Sequence, residues 1–159
     1  MEKLRDILIK VYLQEIFWMR KMDLHPEVNL FNEKNNGETV LKLIDNNLIK
    51  SAHDVSLGGI ITAVAKMCIK GKKGINIQKP KYLINEIEYL FAEDQGRYII
   101  EINKKDFKKV ADILNKNAVH FDELGTISEN ELYINDKTKV TIDELSTSNK
   151  SWLSNYMSK

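Results

Sequence analysis

Ser51-Ala52-His53-Asp54-Val55-Ser56-Leu57-Gly58-Gly59-Ile60 constrains this chain more than any other stretch. It sets His, Asp and Ser beside a Gly-Gly pair, directly before an apolar run from Ile60 to Ile69. The small and charged residues predict a turn. The apolar run predicts a helix whose first amide groups point out of that turn. A helix N-terminus carries unpaired donors and partial positive charge, so this corner suits a phosphate or another anion.

The chain has 159 residues, enough for one ordinary domain with a real core. Apolar content of 43% and charged content of 30% fit a soluble globular protein. A formal charge of +1 supplies no basic field to collect nucleic-acid phosphates, so no nucleic-acid partner is expected. The lysines at 66, 70, 72 and 73 and at 104, 105, 108 and 109 read as solvated helix faces. The apolar stretches are far shorter than the roughly 20 residues of a bilayer crossing, so no membrane partner is expected. The first six residues show no signal-peptide pattern. The sole cysteine, Cys68, falls in an apolar helical pattern and reads as a core thiol. A reducing compartment and a cytoplasmic location are therefore expected.

Leu4, Leu8, Val11, Tyr12, Ile16 and Met19 recur at spacings of three and four. They predict an N-terminal helix, widened by Phe17 and Trp18. That helix either docks on its own domain or offers a face to another domain, and both readings stand. Residues 1–24 are thus expected to be a remnant of a preceding domain or a linker, and residues 25–159 a single domain. Pro26 marks a linker. A helix follows from about Leu30 to Asn46, with Phe31, Val40, Leu41 and Ile44 inward, Gly37 weakening its middle and Asn46-Asn47 at its end. Residues 48–52 are a short strand candidate leading into the His53 corner.

The next helix runs from about Gly58 to Lys70, with Ile60, Ile61, Val64, Ala65, Met67 and Cys68 as core candidates and Gly71 as its glycine cap. Strands are expected at 75–77, 98–102 and 121–127, the last interrupted by Gly125. A loop around Pro80 precedes a short helix near 84–90. A further helix spans 104–117, with Phe107, Val110, Ala111 and Leu114 on one face. Residues 131–134 and 139–142 predict a hairpin around Asn135-Asp136. A short terminal helix starts at Asp143, packed down by Trp152 and Tyr156. This order predicts an α+β fold with helices packed on a mostly antiparallel or mixed sheet.

Two motifs carry a resemblance: His53-Asp54-Val55-Ser56-Leu57-Gly58-Gly59 and Phe91-Ala92-Glu93-Asp94-Gln95-Gly96-Arg97-Tyr98. Together they resemble the C-terminal end of the large (synthetase) subunit of phosphoribosylformylglycinamidine synthase, in the aminoimidazole ribonucleotide synthetase superfamily. Residues 12–16, 26–30, 36–37 and 125–127 agree with it as well. Two positions depart: Leu57 stands where the family has Asp, and Ala92 where it has Gly or Ser. The resemblance implies that superfamily's C-terminal-domain fold. It implies the last of four domains in an enzyme that makes formylglycinamidine ribonucleotide from formylglycinamide ribonucleotide, ATP and glutamine-derived ammonia. The catalytic histidine of that enzyme lies in another domain, so no catalytic residue is expected here and the isolated chain is expected to be inactive. The implied partners are the missing synthetase domains, in the same or a companion chain, and a glutaminase component. The implied cofactors are magnesium and ATP or ADP in the intact enzyme, with the isolated chain able to do without them.

By the same resemblance, His53, Ser56, Gly58, Gly59, Glu93, Asp94, Gln95 and Arg97 are candidates for nucleotide or phosphate binding, and Asp54 for magnesium. Each has a structural alternative. Asp54 and Ser56 would cap the Gly58 helix. His53 lacks a paired nucleophile and reads as a structural hydrogen-bonding histidine. Arg97 would hold a phosphate or pair with Glu93. A different reading of the whole chain is a non-enzymatic relic or interaction module, with a homo-oligomer as one form of it, assembling through the Val11–Trp18 face.

Overall fold

A computed structural model describes residues 7–12, 29–78 and 85–158. The described elements run in the order β1 (Ile7–Tyr12), α1 (Leu30–Asp45), β2 (Ser51–Asp54), α2 (Gly59–Gly71), β3 (Gly74–Ile77) and α3 (Glu86–Phe91). There follow β4 (Tyr98–Ile102), a 3-10 turn over Lys104–Asp106, α4 (Phe107–Lys116), β5 (His120–Ser128), β6 (Glu131–Ile134), β7 (Thr138–Thr141) and α5 (Ile142–Met157). The strands form a seven-stranded sheet in the order β2-β4-β1-β5-β3-β6-β7. Its pairs are antiparallel except β3 with β6, so the expected α+β class with a mostly antiparallel sheet is what forms.

Strand alternation sends neighbouring side chains to opposite faces. On β4, Ile99 therefore joins one core cluster while Ile100 and Ile102 join another. The first cluster packs Ile60, Ala63, Val64 and Cys68 of α2, Tyr89 and Leu90 of α3, and Ile142 of α5 against the sheet. The second packs Val40 and Leu43 of α1 and Val110 and Leu114 of α4. Helices thus cover both faces.

Several expectations are corrected. Residues 7–12 are a strand, not part of an N-terminal helix, and β1 lies in the sheet between β4 and β5. The sequence Ile-Leu-Ile-Lys-Val-Tyr fits both periods, and hydrogen bonding to two neighbours decides for the strand. The Val11–Trp18 assembly face accordingly begins on a sheet strand. The rest of that segment, and the loop around Pro80, lie outside the described residues. On α1 the inward face is Asn36, Thr39, Val40 and Leu43, whereas Phe31, Leu41 and Ile44 are exposed. β5 continues as one strand through Gly125, but its register against β1 shifts beside it, with Leu8 opposite Gly125 and Ile9 opposite Glu123. An added Cβ at Gly125 would sit 2.0 Å from the Asn76 carbonyl oxygen on the paired strand β3. The terminal helix is long rather than short. Trp152 and Tyr156 contact each other at 6.3 Å between ring centroids and stay exposed instead of packing the helix down.

Gly71 is the last helical residue of α2. The left-handed capping position falls one residue later, on Lys72 (φ 51, ψ 42). A non-glycine residue there costs about 1 kcal/mol. Among the described residues no helix is long and apolar enough to cross a membrane. Cys68 is buried, and burial, with the Glu101 carboxylate adding to it, pushes its thiol up to about 12.

Two outcomes follow from this packing. Gly71→Ala combined with Lys72→Gly moves the glycine onto the left-handed position, and Gly71 has open space for a Cβ. The double variant should gain about 1 kcal/mol in urea denaturation. An unfolded thiol ionises near pH 8.5, whereas the folded one holds its proton to about 12, so this group's contribution to stability falls as pH rises through that window. Alkylation of Cys68 by iodoacetamide at pH 8 should therefore track global unfolding, and rapid labelling of the native chain would contradict the packing.

Candidate functional site

The two sequence motifs meet on β2 and β4. These strands pair antiparallel, with His53 opposite Ile99 and Asp54 opposite Tyr98. Beyond the last pair the Val55 N–H donates to the Arg97 carbonyl at 2.8 Å. The Gly58 N–H then donates to Glu93 Oε1 at 2.7 Å. The Gly-Gly pair makes the corner possible: Gly58 and Gly59 have φ of 82 and 70, a region that other residues enter at a cost. A Cβ on Gly59 would also stand 2.6 Å from the Leu90 carbonyl oxygen and 2.8 Å from that of Ala92. Both glycines are therefore dictated by backbone geometry.

A carboxylate from the other motif, Glu93, bonds the amide of Gly58 just before α2. No side chain from its own flank caps it, so neither Asp54 nor Ser56 does; Ser56 contributes its carbonyl, which accepts from the Gly59 N–H at 2.9 Å. The Glu93 carboxylate takes the amide position at which the sequence pattern placed an external anion. A carboxylate there also suits the positive end of the helix dipole.

An open cleft of about 370 Å³ lies between these segments. Of the candidate residues, Asp54, Ser56, Glu93, Gln95 and Arg97 line it, together with Val55, Leu57, Gly96 and Tyr98. His53, Gly58, Gly59 and Asp94 stand outside its lining. Glu33 of α1 completes the wall. No sequence motif marks Glu33; its place depends on α1 folding over a turn some 60 residues downstream, as the bond from Asn36 to Gly96 shows.

Arg97 is 4% exposed and pairs with Asp94, not Glu93. Its Nη2 lies 3.7 Å from Asp94 Oδ2, its Nε donates to the Asp94 carbonyl at 3.0 Å, and Nη2 also donates to the Ala92 carbonyl. Burial pulls the guanidinium below its usual value, and Asp94 and then Tyr89 oppose that shift. Arg97 therefore ties its own loop together through Nε and Nη2, while its buried Nη1 has no hydrogen-bond partner among the described residues.

The wall is otherwise acidic. The carboxylates of Glu33, Asp54 and Glu93 all line it. Burial raises the Tyr98 phenol, with the Glu33 and Asp54 carboxylates adding to it. Among the described residues no group of three or more His, Cys, Asp or Glu side chains could hold a metal ion. The exposed Asp54 carboxylate suits magnesium only where phosphate oxygens and water complete the shell, which is how that ion commonly binds. His53 Nδ1 lies 2.6 Å from the Asp54 carbonyl and 3.4 Å from Asp54 Oδ1. A carbonyl only accepts, so Nδ1 carries the proton, and the contact is a local hydrogen bond of a partly buried ring.

Removing the Glu93 carboxylate should loosen the corner. Glu93→Ala is expected to cost about 1–2 kcal/mol in urea denaturation, and Glu93→Gln less, because the amide oxygen still accepts from Gly58.

Comparison with known proteins adds the lineage. Residues 10–137 match the family described as AIR synthase related protein, C-terminal domain. The chain is 67% identical over 132 residues to phosphoribosylformylglycinamidine synthase subunit PurL of Pelagibacter ubique, covering 83% of this chain and 18% of that protein. It is 36% identical over 132 residues to the subunit of the same name from Bartonella henselae, with the same shares covered. Thus it spans about 18% of the length of these relatives. Its fold matches T. maritima PurL complexed with ATP at a TM-score of 0.70 and 17% identity, over 91% of this chain and 26% of that one. The two motifs, the seven-stranded sheet and the matched span agree: this chain belongs to the AIR synthase related protein, C-terminal domain family.

Proposed function

We propose that the chain is the C-terminal domain, or a truncated form, of a phosphoribosylformylglycinamidine synthase, forming one wall of a nucleotide-binding cleft. The observation that carries this reading is the joining of the two motifs around one cleft through β2 and β4. In the whole enzyme ATP would phosphorylate the formyl amide oxygen of formylglycinamide ribonucleotide, releasing ADP. Ammonia from a glutaminase component would then displace phosphate to leave the amidine. This chain contributes binding surface to that assembly and no catalytic group. The remaining synthetase domains, in the same or a companion chain, supply the chemistry. A cytoplasmic location goes with this role in purine biosynthesis.

The acidic wall bears on what the cleft accepts. Glu33, Asp54 and Glu93 repel a bare phosphate, and the Arg97 charge is offset by Asp94. A nucleotide would enter as its magnesium complex, with Asp54 offering a carboxylate oxygen to the ion and Ser56 and Gln95 offering polar groups to the ligand.

The isolated chain should form no amidine from ATP, formylglycinamide ribonucleotide and ammonia; turnover by the chain alone would refute the assignment. Calorimetric titration should detect ADP binding with magnesium present and lose it when EDTA removes the ion. Equal binding with and without magnesium would remove Asp54 from its role.

A further inference from the structure

Asn36 is a polar residue in the middle of α1, yet it is 2% exposed. Its side-chain Nδ2 donates to the carbonyl oxygen of Gly96 at 2.9 Å, across 60 positions in sequence. Gly96 has φ 68, so the peptide that receives this bond sits at a left-handed bend. On one side of the bend is Gln95, which lines the cleft. On the other is Arg97, whose carbonyl accepts from Val55 and whose guanidinium is tied to Asp94.

The next residue of α1 fits the same purpose. A Cβ at Gly37 would lie 3.3 Å from the Tyr98 hydroxyl, tighter than ordinary contact. Glycine inside a helix costs about 0.5–1 kcal/mol relative to alanine, and here it lets the helix approach the Tyr98 ring. One turn earlier Glu33 reaches the cleft wall itself. α1 therefore lies against the Gln95–Tyr98 segment along the face that carries Glu33, Asn36 and Gly37.

We propose that Asn36 is a positioning residue for the cleft. By holding the Gly96 carbonyl it sets the peptide plane between Gly96 and Arg97, and with it the directions of the Gln95 and Arg97 side chains. Asn suits this task because its amide donates a neutral hydrogen bond on a short stem. Asp at the same position has the same shape and, when ionised, only accepts. The inference rests on the cleft being a ligand site, as proposed above, but its principal readout needs no ligand.

Hydrogen exchange followed by NMR provides that readout. In the wild-type chain the Asn36 side-chain amide and the Arg97 Nε–H should both be protected. Asn36→Ala and Asn36→Asp should speed Arg97 Nε–H exchange at least about tenfold beyond Val40→Ala. Val40 is a buried α1 residue in the second core cluster, so its truncation destabilises the helix while leaving both partners of the Asn36–Gly96 hydrogen bond in place. Where wild type binds magnesium ADP, both Asn36 variants should weaken binding about fivefold or more, and Val40→Ala less than about twofold. Equal Arg97 exchange in all three variants at matched stability would reduce Asn36 to a structural residue and overturn the proposal. Should the Asn36 variants fail to fold, an unprotected Asn36 amide in wild type would overturn it and a protected one would uphold it. A wild-type chain that binds no magnesium ADP would remove the nucleotide reading, and the exchange result would still decide the role of Asn36.

Discussion

The antiparallel pairing of β2 with β4 is the constraint on which the site depends. It sets Asp54 opposite Tyr98 and so brings together two motifs separated by the whole of α2, β3 and α3. Once the strands are in register, the Val55 amide meets the Arg97 carbonyl and the Gly58 amide meets Glu93. A slip of one residue would turn every side chain to the other face, sending Ile99 and Ile100 into each other's clusters. The two cores hold that register, since β4 contributes to both.

That register also changes the chemistry of the helix corner. Unpaired amides and a helix dipole attract an anion from any source. Here an internal anion sits at the corner, because the chain that returns after α3 carries Glu93 to the amide of Gly58, just before α2. Arg97 follows the same logic with opposite sign: its charge is paired with Asp94 and its Nε and Nη2 donate to backbone carbonyls in its own loop, while its buried Nη1 has no hydrogen-bond partner among the described residues. The cleft that remains is acidic, and a phosphorylated ligand is better accommodated there with a divalent ion than alone. Leu57, 79% exposed on the cleft wall, adds no charge there and leaves Asp54 as the carboxylate of that motif.

α1 shows how a local sequence rule gives way to a tertiary demand. Its exposed Phe31, Leu41 and Ile44 look like core residues, and its buried Asn36 and Thr39 look like surface residues. The helix is oriented by the bend at Gly96 and the ring of Tyr98 as well as by Val40 and Leu43. Pairing the buried Asn36 amide with the Gly96 carbonyl and fitting a glycine against an aromatic ring outweigh the simple apolar stripe.

Much was legible in the residues themselves. The Gly-Gly pair before an apolar run announced a sharp turn into a helix, because few other residues enter that backbone region. The β4 strand was legible in its alternation, and the short-range hairpin in Asn135-Asp136, both of which adopt positive φ. The family was legible in two motifs, whose backbone needs are specific enough to be recognised by residue type. The partners were not. Residues 7–12 satisfy the helical and the strand period alike, and only two neighbouring strands decided between them. Nothing in the order of residues says that Glu93 bonds the Gly58 amide, that Asn36 bonds the Gly96 carbonyl, or that Arg97 pairs with Asp94. Local periodicity reports a residue's neighbours along the chain, whereas hydrogen-bond partners drawn from distant segments exist only after the sheet has brought those segments together.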